Sequence, residues 1–455
     1  MEQKRQSWTA GLTGYHWFVF LVASSAWFFD CLDQRLFSLA RIPALRSLMP
    51  PDTAPGVIQA TGKDVTAVFL VGWGFGGLIF GALGDRYGRA RMLTITVLIY
   101  SIFTGLTFFS RSYWDFAACR FLTGLGVGGV FGLAVSLIAE TLPDTSRTGA
   151  LGMLQVLSTI GNIAAGLINS LIGSLQASGT IVAGQGWRYM FLIGAVPALL
   201  VLATGTYLRE PERWLRAKAE GKLPKGNFLS PYAGLLADAR WRRNLVIGSL
   251  LASTGVIGLW AIGEYAVDLQ RNVFRTYFEA NAASPLALAE LDAKVTNAIS
   301  VAYILNMLGA GVGMWIFTKL AQWYGRRPAF AVGYLAALFS TLLVYWKMSS
   351  PIDAYWMMPL MGAAQLSVFA GFAIYLPELF PSQYRSTGTS FCYNLGRFAA
   401  AAGSLFSAKL ATGLYGQFGS PQMERYSAMT MCAIFLIGLA TLPFAPETKD
   451  RPLPE

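Results

Sequence analysis

Apolar residues along this chain gather into twelve runs, at about 15–40, 64–84, 92–110, 115–140, 148–174, 188–208, 244–269, 296–320, 329–347, 354–376, 386–412 and 423–442. Each is close to or above the ~20 residues that an α-helix needs to cross a bilayer. Backbone groups inside hydrocarbon must be satisfied within their own segment, so helices are the expected form of every run. The pattern predicts an all-α membrane protein with twelve transmembrane helices. Three polar stretches interrupt it. Residues 41–63 read as a long proline-rich loop, 209–243 as a basic loop after the sixth run, and 271–294 as a polar, partly helical loop.

Composition sharpens this. With 54% hydrophobic and 13% charged residues, the chain falls outside the water-soluble globular class. All four cysteines (Cys31, Cys119, Cys392, Cys432) lie inside apolar runs, which predicts free thiols and neither a disulfide framework nor a zinc site. Lys4 and Arg5 precede an apolar stretch too long for a signal-peptide core, so the first helix is expected to be retained.

The net charge of +11 raises nucleic acid as a partner, but the placement of the basic residues argues for topology instead. With the N-terminus inside, the inner segments hold 20 lysines and arginines against 10 in the outer ones. That bias puts both termini and the central loop on the cytoplasmic side of an inner or plasma membrane, beside anionic lipid, with no nucleic acid bound.

The halves echo each other. Glu140-Thr-Leu-Pro143-Asp-Thr-Ser-Arg147 matches Glu378-Leu-Phe-Pro381-Ser-Gln-Tyr-Arg385 at an offset of 238. Tyr87-Gly88-Arg89 matches Tyr324-Gly325-Arg326 at 237, Pro211-Glu212 matches Pro446-Glu447 at 235, and Asp30 matches Asp268 at 238. Matches in one order, each at the same place relative to a run, indicate two pseudo-symmetric six-helix bundles: 1–208 and 244–455, joined by a cytoplasmic linker, 209–243. Such duplication is a transporter feature, with the solute site near mid-membrane.

Charges inside the runs carry the chemistry. Asp30 and Asp33 are three residues apart, on one face of the first helix. Acids in hydrocarbon cost about 2.5–3.5 kcal/mol each on insertion scales and normally face a wet interior. The bland reading is that both sit hydrated at the helix end. Arg120, early in the fourth run, lies at a similar depth. An arginine favours the ionised form of a facing carboxylate, and separating the two lets the acid take a proton. Asp30 or Asp33 is therefore the candidate proton site, with Arg120 as its partner; a permanent structural ion pair is the alternative.

Arg397, in mid-span eleven, offers a planar fork suited to a substrate carboxylate, or a partner for Glu264 or Asp268. Asn394, Gln155 and Asn162 are candidate lining groups, as are Trp260, Tyr303, Asn306 and Gln365. Amides at such depth also commonly hydrogen-bond neighbouring helices, and aromatic residues commonly pack. The glycines at 124, 128 and 132 read as a helix-packing stripe. The sequence holds no nucleophile–base set, metal cluster or ATP loop. No enzyme activity or cofactor is expected, and a gradient must supply the energy.

The run Gly81-Ala-Leu-Gly-Asp85-Arg86-Tyr-Gly88-Arg89-Ala-Arg91 resembles the loop between helices two and three of the major facilitator superfamily. The likeness covers essentially the whole chain. Arg120-Phe-Leu-Thr-Gly124-Leu-Gly126-Val-Gly128, the Glu140/Arg147 motif, Pro211-Glu212-Arg-Trp-Leu215 and Pro446-Glu447-Thr-Lys449 resemble sugar-porter signatures. Asp30-Cys-Leu-Asp33 resembles the Asp-Gly-x-Asp of aromatic-acid:proton symporters, with Cys31 in place of the glycine. Gln322 stands where the second half of the family often keeps an acid, and the proline-glycine motif of drug antiporters is absent from 153–172.

The resemblance implies a latch that holds the inner side shut. Gly81 and Gly88 allow close approach and a tight turn. Asp85 is placed to accept from a neighbouring helix N-terminus, and Arg86 and Arg89 to pair with acids or lipid phosphates. Glu140 and Arg147, with Glu378 and Arg385, are expected to form inner-face ion pairs, worth about 0–1 kcal/mol if exposed; the alternative is that they only cap their helices. The resulting expectation is proton-coupled import of a small organic anion, such as an aromatic or other carboxylate, by a monomeric carrier. A neutral sugar or polyol is the rival solute. A non-transporting nutrient sensor is the rival of another class, disfavoured by tails without a signalling domain.

Overall fold

The computed structural model describes residues 8–182, 184–224, 227–263, 265–282, 288–419 and 421–454. In chain order the helices are α1 (Gly14–Leu48), α2 (Pro55–Tyr87), α3 (Arg89–Thr107), α4 (Tyr113–Thr141), α5 (Asp144–Ala177), α6 (Gly186–Ile193), α7 (Ala198–Tyr207), α8 (Glu212–Ala219), α9 (Ser230–Ala237), α10 (Ala239–Ile257) and α11 (Tyr265–Ala280). There follow α12 (Leu288–Trp323), α13 (Arg326–Lys347), α14 (Pro351–Gln365), α15 (Ser367–Glu378), α16 (Arg385–Lys409), α17 (Gln422–Met431) and α18 (Ile434–Thr441). Eleven helical stretches among the described residues are long and apolar enough to cross a membrane. α16 coincides with the eleventh apolar run but stays outside that set, because its serines, threonines, Arg385 and Arg397 lower its mean hydropathy.

Helix ends follow local chemistry. Thr13 and His16 form a capping box at the start of α1, and Ser112 and Asp115 form one at α4. Ser350, 238 residues beyond Ser112, caps α14 by accepting from the Asp353 N–H. Two expectations about loops, 41–63 and 209–243, need correction, while 271–294 is partly helical as expected. Residues 41–63 are mostly helical: apolar burial through Phe37, Ala40, Ala44 and Leu45 carries α1 to Leu48, and Pro55 opens α2 at a first-turn position that suits proline. α11 and α12 fill most of 271–294, and α8 and α9 lie inside 209–243. The sixth run is broken between α6 and α7 by turns ending at Pro197, and the seventh passes through a π-helical segment, Gly258–Gly263.

The chain forms two compact units. One holds residues 1–245, 376–394 and 451–455; the other holds 246–375 and 395–450. In the first, α4 is buried almost throughout, with Gly124 and Gly128 set against the α2 backbone around Trp73 and Gly77. In the second, Tyr334 and Tyr345 on α13 donate to the carbonyls of Leu251 and Ile262. Phe330, Tyr334 and Phe372 stack beside them.

Candidate functional site

The first unit carries two buried ionic clusters. One lies where α2 turns into α3. Gly88 makes that turn at φ +114°, which a side chain rarely adopts, and Gly325 repeats it at φ +107° between α12 and α13. Past each turn a glutamate closes the new helix. Glu210 accepts from the N–H groups of Ala90 and Arg91 at 3.1 and 2.9 Å. Glu447 accepts from Arg326 and Arg327 at 2.9 and 3.0 Å. These two are 237 residues apart, the offset of the glycines, whereas the sequence match at 235 set Glu212 against Glu447. The true repeat was hidden because Glu210 precedes the proline of its motif and Glu447 follows its own.

Asp85 is the centre of the turn cluster. Its oxygens accept from the N–H groups of Ser386 (3.0 Å) and Thr387 (2.8 Å) at the start of α16, and from the Thr387 hydroxyl (2.5 Å). Arg89 pairs with it at 2.9 Å and reaches Glu140 at 3.1 Å and the Ser382 carbonyl. Glu140 also receives Arg385 at 2.6 Å and the Ser382 hydroxyl at 3.1 Å. Arg147 pairs with Asp144 at 2.5 Å and faces Glu378 at 3.8 Å. Thus residues 376–394, from the second half of the sequence, join the first compact unit. The side chains of Asp85, Arg89, Glu140 and Arg385 are wholly buried, so the energy expected of exposed pairs does not apply. Removing one partner of a buried pair costs about 3–5 kcal/mol. Arg86 stands apart, half-buried and stacked on Tyr87, and Arg91 is exposed.

Above Asp85, α16 lies along α2 by small residues. A Cβ on Gly84 would meet Ser386, one on Gly81 would meet Ser390, and one on Gly77 would meet Asn394. Asn394 donates to the Ser390 carbonyl, so the structure gives it a helix-packing place. Beside it Tyr393 stacks on Phe131 at 3.8 Å, and Trp27 packs against both. The Trp27 indole N–H donates to the buried Gln155 at 2.9 Å. Asn162 donates to the Ser158 carbonyl one turn back.

The second cluster lies between α1, α3 and α4. Asp30, Asp33 and Arg120 are all wholly buried. Asp33 accepts from the Thr104 hydroxyl at 2.9 Å on one oxygen. Its other oxygen faces Arg120 at 3.7 Å and takes no hydrogen bond among the described residues. Arg120 donates to Thr107 at 2.7 Å and Thr123 at 3.1 Å and lies 4.5 Å from the centroid of the Phe191 ring. Of the two acids the sequence left open, Asp33 is the one brought to Arg120.

In the second unit Arg397 is 5% exposed on α16. Asn306 donates to the Met358 carbonyl at 2.8 Å, and Gln365 to the Thr341 hydroxyl at 2.7 Å, so both tie helices together. Trp260 and Tyr303 are half-buried. Glu264, offered as lining or as a partner for Arg397, lies outside the described residues.

Apolar helices of membrane-crossing length, duplicated along the chain and holding buried ion pairs, define a membrane transporter. A Major Facilitator Superfamily model matches residues 23–404, and the chain belongs to that family. It is therefore a multi-pass membrane protein that moves small solutes, in a family of transporters rather than enzymes. It is 28% identical to the cis,cis-muconate transport protein of Acinetobacter baylyi, over 80% of this chain and 81% of that one. It is 26% identical to the sialic acid transporter NanX of Escherichia coli, over 87% of both. Among solved structures, the proton:xylose symporter XylE bound to 6-bromo-6-deoxy-D-glucose shares the fold with a TM-score of 0.73. That likeness covers 96% of this chain and 98% of XylE at 20% identity.

Proposed function

We propose that this transporter imports a small organic anion, a carboxylate, together with a proton, by alternating access. The observation that carries the reading is the Asp33–Arg120 pair. Both groups are sealed in membrane-crossing helices, yet among the described residues the facing oxygen is held by charge at 3.7 Å and by no hydrogen bond. A loosely held buried carboxylate is a group that exchanges a proton when its cation is drawn away. The names of the muconate and sialic acid relatives support an acid as solute. Arg397 supplies the bidentate donor for its carboxylate. The Asp85–Glu140 cluster serves as the inner latch, assembled in one state and parted in the other.

In this reading the halves 1–208 and 244–455 are the moving bundles and 209–243 is their linker. The carrier works as a monomer in the inner or plasma membrane with both termini in the cytoplasm, as the lysine and arginine bias favours. Counterflow in proteoliposomes tests the solute class. Labelled cis,cis-muconate or benzoate should exchange, and Arg397→Ala should lower that exchange at least tenfold. Exchange of xylose that ignores Arg397 would overturn the reading, and saturable binding without any exchange would indicate a sensor.

A further inference from the structure

Thr104 and Thr107 stand three residues apart on α3 and so share one face of it. Each holds one member of the buried ion pair. The Thr104 hydroxyl donates to Asp33 Oδ1 at 2.9 Å. The Thr107 hydroxyl gives its own proton to the Phe103 carbonyl at 2.8 Å, which leaves its oxygen as an acceptor. Arg120 Nη2 donates to that oxygen at 2.7 Å and to the Thr123 hydroxyl, one turn further along α4, at 3.1 Å. The guanidinium carbon lies 4.5 Å from the centre of the Phe191 ring, within cation–π reach. The atoms that would join the pair directly, Arg120 Nη1 and Asp33 Oδ2, are 3.7 Å apart. Among the described residues neither has a hydrogen-bond partner. A guanidinium–carboxylate hydrogen bond normally closes to about 2.7–2.9 Å, and buried polar atoms are ordinarily satisfied. The pair thus stops short of the contact its charges favour, while its sideways tethers have ordinary hydrogen-bond lengths. The titratable groups beside it are Asp30 and Cys31 on α1, Tyr100 on α3 and Cys119 on α4; Arg188 on α6 donates to the Phe108 carbonyl.

We propose that Thr107 is a positioning residue for proton exchange: it holds the Arg120 guanidinium back from Asp33, so that the carboxylate has a counter-charge yet stays free to take a proton. The inference rests on the reading that Asp33 exchanges a proton. Thr123 assists from α4. Thr104 occupies Oδ1, which leaves Oδ2 as the oxygen that is protonated. A proton from water forms one O–H bond at Oδ2 as one breaks in hydronium, and it returns to water by the reverse step, so no co-reactant is needed. With the Thr107 tether cut, Nη1 closes on Oδ2. The contact becomes a charge-assisted hydrogen bond, and the carboxylate then holds its charge against the proton.

The test is an infrared titration of the full chain in lipid nanodiscs, following the C=O stretch of protonated carboxyl groups against pH. Wild type should show a protonation step that Asp33→Asn removes. Thr107→Val keeps the side-chain shape and loses the acceptor; it should move the midpoint of that step down by about one pH unit, a tenfold weaker hold on the proton. Thr107→Ser keeps the hydroxyl and should restore the wild-type midpoint, which a purely structural role would not require. A thermal melt checks the fold, and Thr123→Val, expected to shift the step in the same direction, decides the matter if Thr107→Val does not fold. A step that these valine variants leave in place or move upward overturns this inference alone. The absence of any step assignable to Asp33 overturns the proton-exchange reading, and this inference with it.

Discussion

At the scale of single residues, one carboxylate in the first unit has several claimants. Glu140 receives Arg89, Arg385 and the Ser382 hydroxyl on a single oxygen. Glu140→Ala would leave two buried guanidinium groups short of their counter-charge. The expected cost is about 3–5 kcal/mol, read as a large drop in the thermal unfolding midpoint in detergent. Glu447 gives a milder prediction with a pH signature. Burial works against its charge, but the N–H groups of Arg326, Arg327 and Lys449 and the Arg326 guanidinium outweigh it and hold the carboxyl below its ordinary value of 4.5. A carboxyl depressed on folding stabilises the protein above its unfolded value, and that stability is lost as pH falls through the folded one. Glu447→Gln should therefore cost about 1 kcal/mol at neutral pH, as the loss of a helix cap. Melts across acid pH check the rest: the variant should lose less stability than wild type below 4.5. The residue types at these sites were legible in the sequence; their partners were not. Asp30 and Asp33 are equivalent as letters, and only the register of α1 against α3 and α4 gives Arg120 to Asp33. Glu210 was missed because the eye aligns the prolines at 211 and 446, while the backbone aligns the N–H groups that the two glutamates cap.

At the scale of elements, the seat of α16 on α2 depends on what is missing from glycine. Ser386, Ser390 and Asn394 recur every four residues and meet Gly84, Gly81 and Gly77. Gly81→Val would push against Ser390 and lift the first turns of α16. Amide exchange in 385–394 should then quicken about tenfold or more, while α13 in the other unit stays unchanged. Unchanged exchange in 385–394 would show that this seat does not hold α16. Periodicity and length found nearly every helix, including α16, whose hydropathy is low. The sequence did not reveal how helices end or bend. Residues 41–63 looked like a loop because prolines were read as breakers, although Pro43 lies inside α1 and Pro55 starts α2. The π-helical segments 258–263 and 410–414 leave no mark in the hydrophobic pattern.

At the scale of the whole molecule, the duplication is legible in letters and sharper in backbone: Gly88 with Gly325, Glu210 with Glu447, Ser112 with Ser350. It is also unequal. Asp85 anchors the start of α16, whereas its counterpart 237 residues on is Gln322, half-buried and uncharged. The latch proposed for the inner face should accordingly be stronger on the first half's side, and Asp85→Asn should disturb transport more than Gln322→Ala. Orientation belongs to this scale as well: tags on either terminus should be cleaved by protease only after the membrane is opened from the periplasmic or outer side. The central claim is that Asp33 trades a proton with the solute's passage. Uptake of labelled carboxylate into proteoliposomes under an imposed pH gradient, set beside counterflow without one, tests it most directly. Asp33→Asn should abolish gradient-driven accumulation and leave counterflow intact; full gradient-driven uptake by that variant would contradict the account.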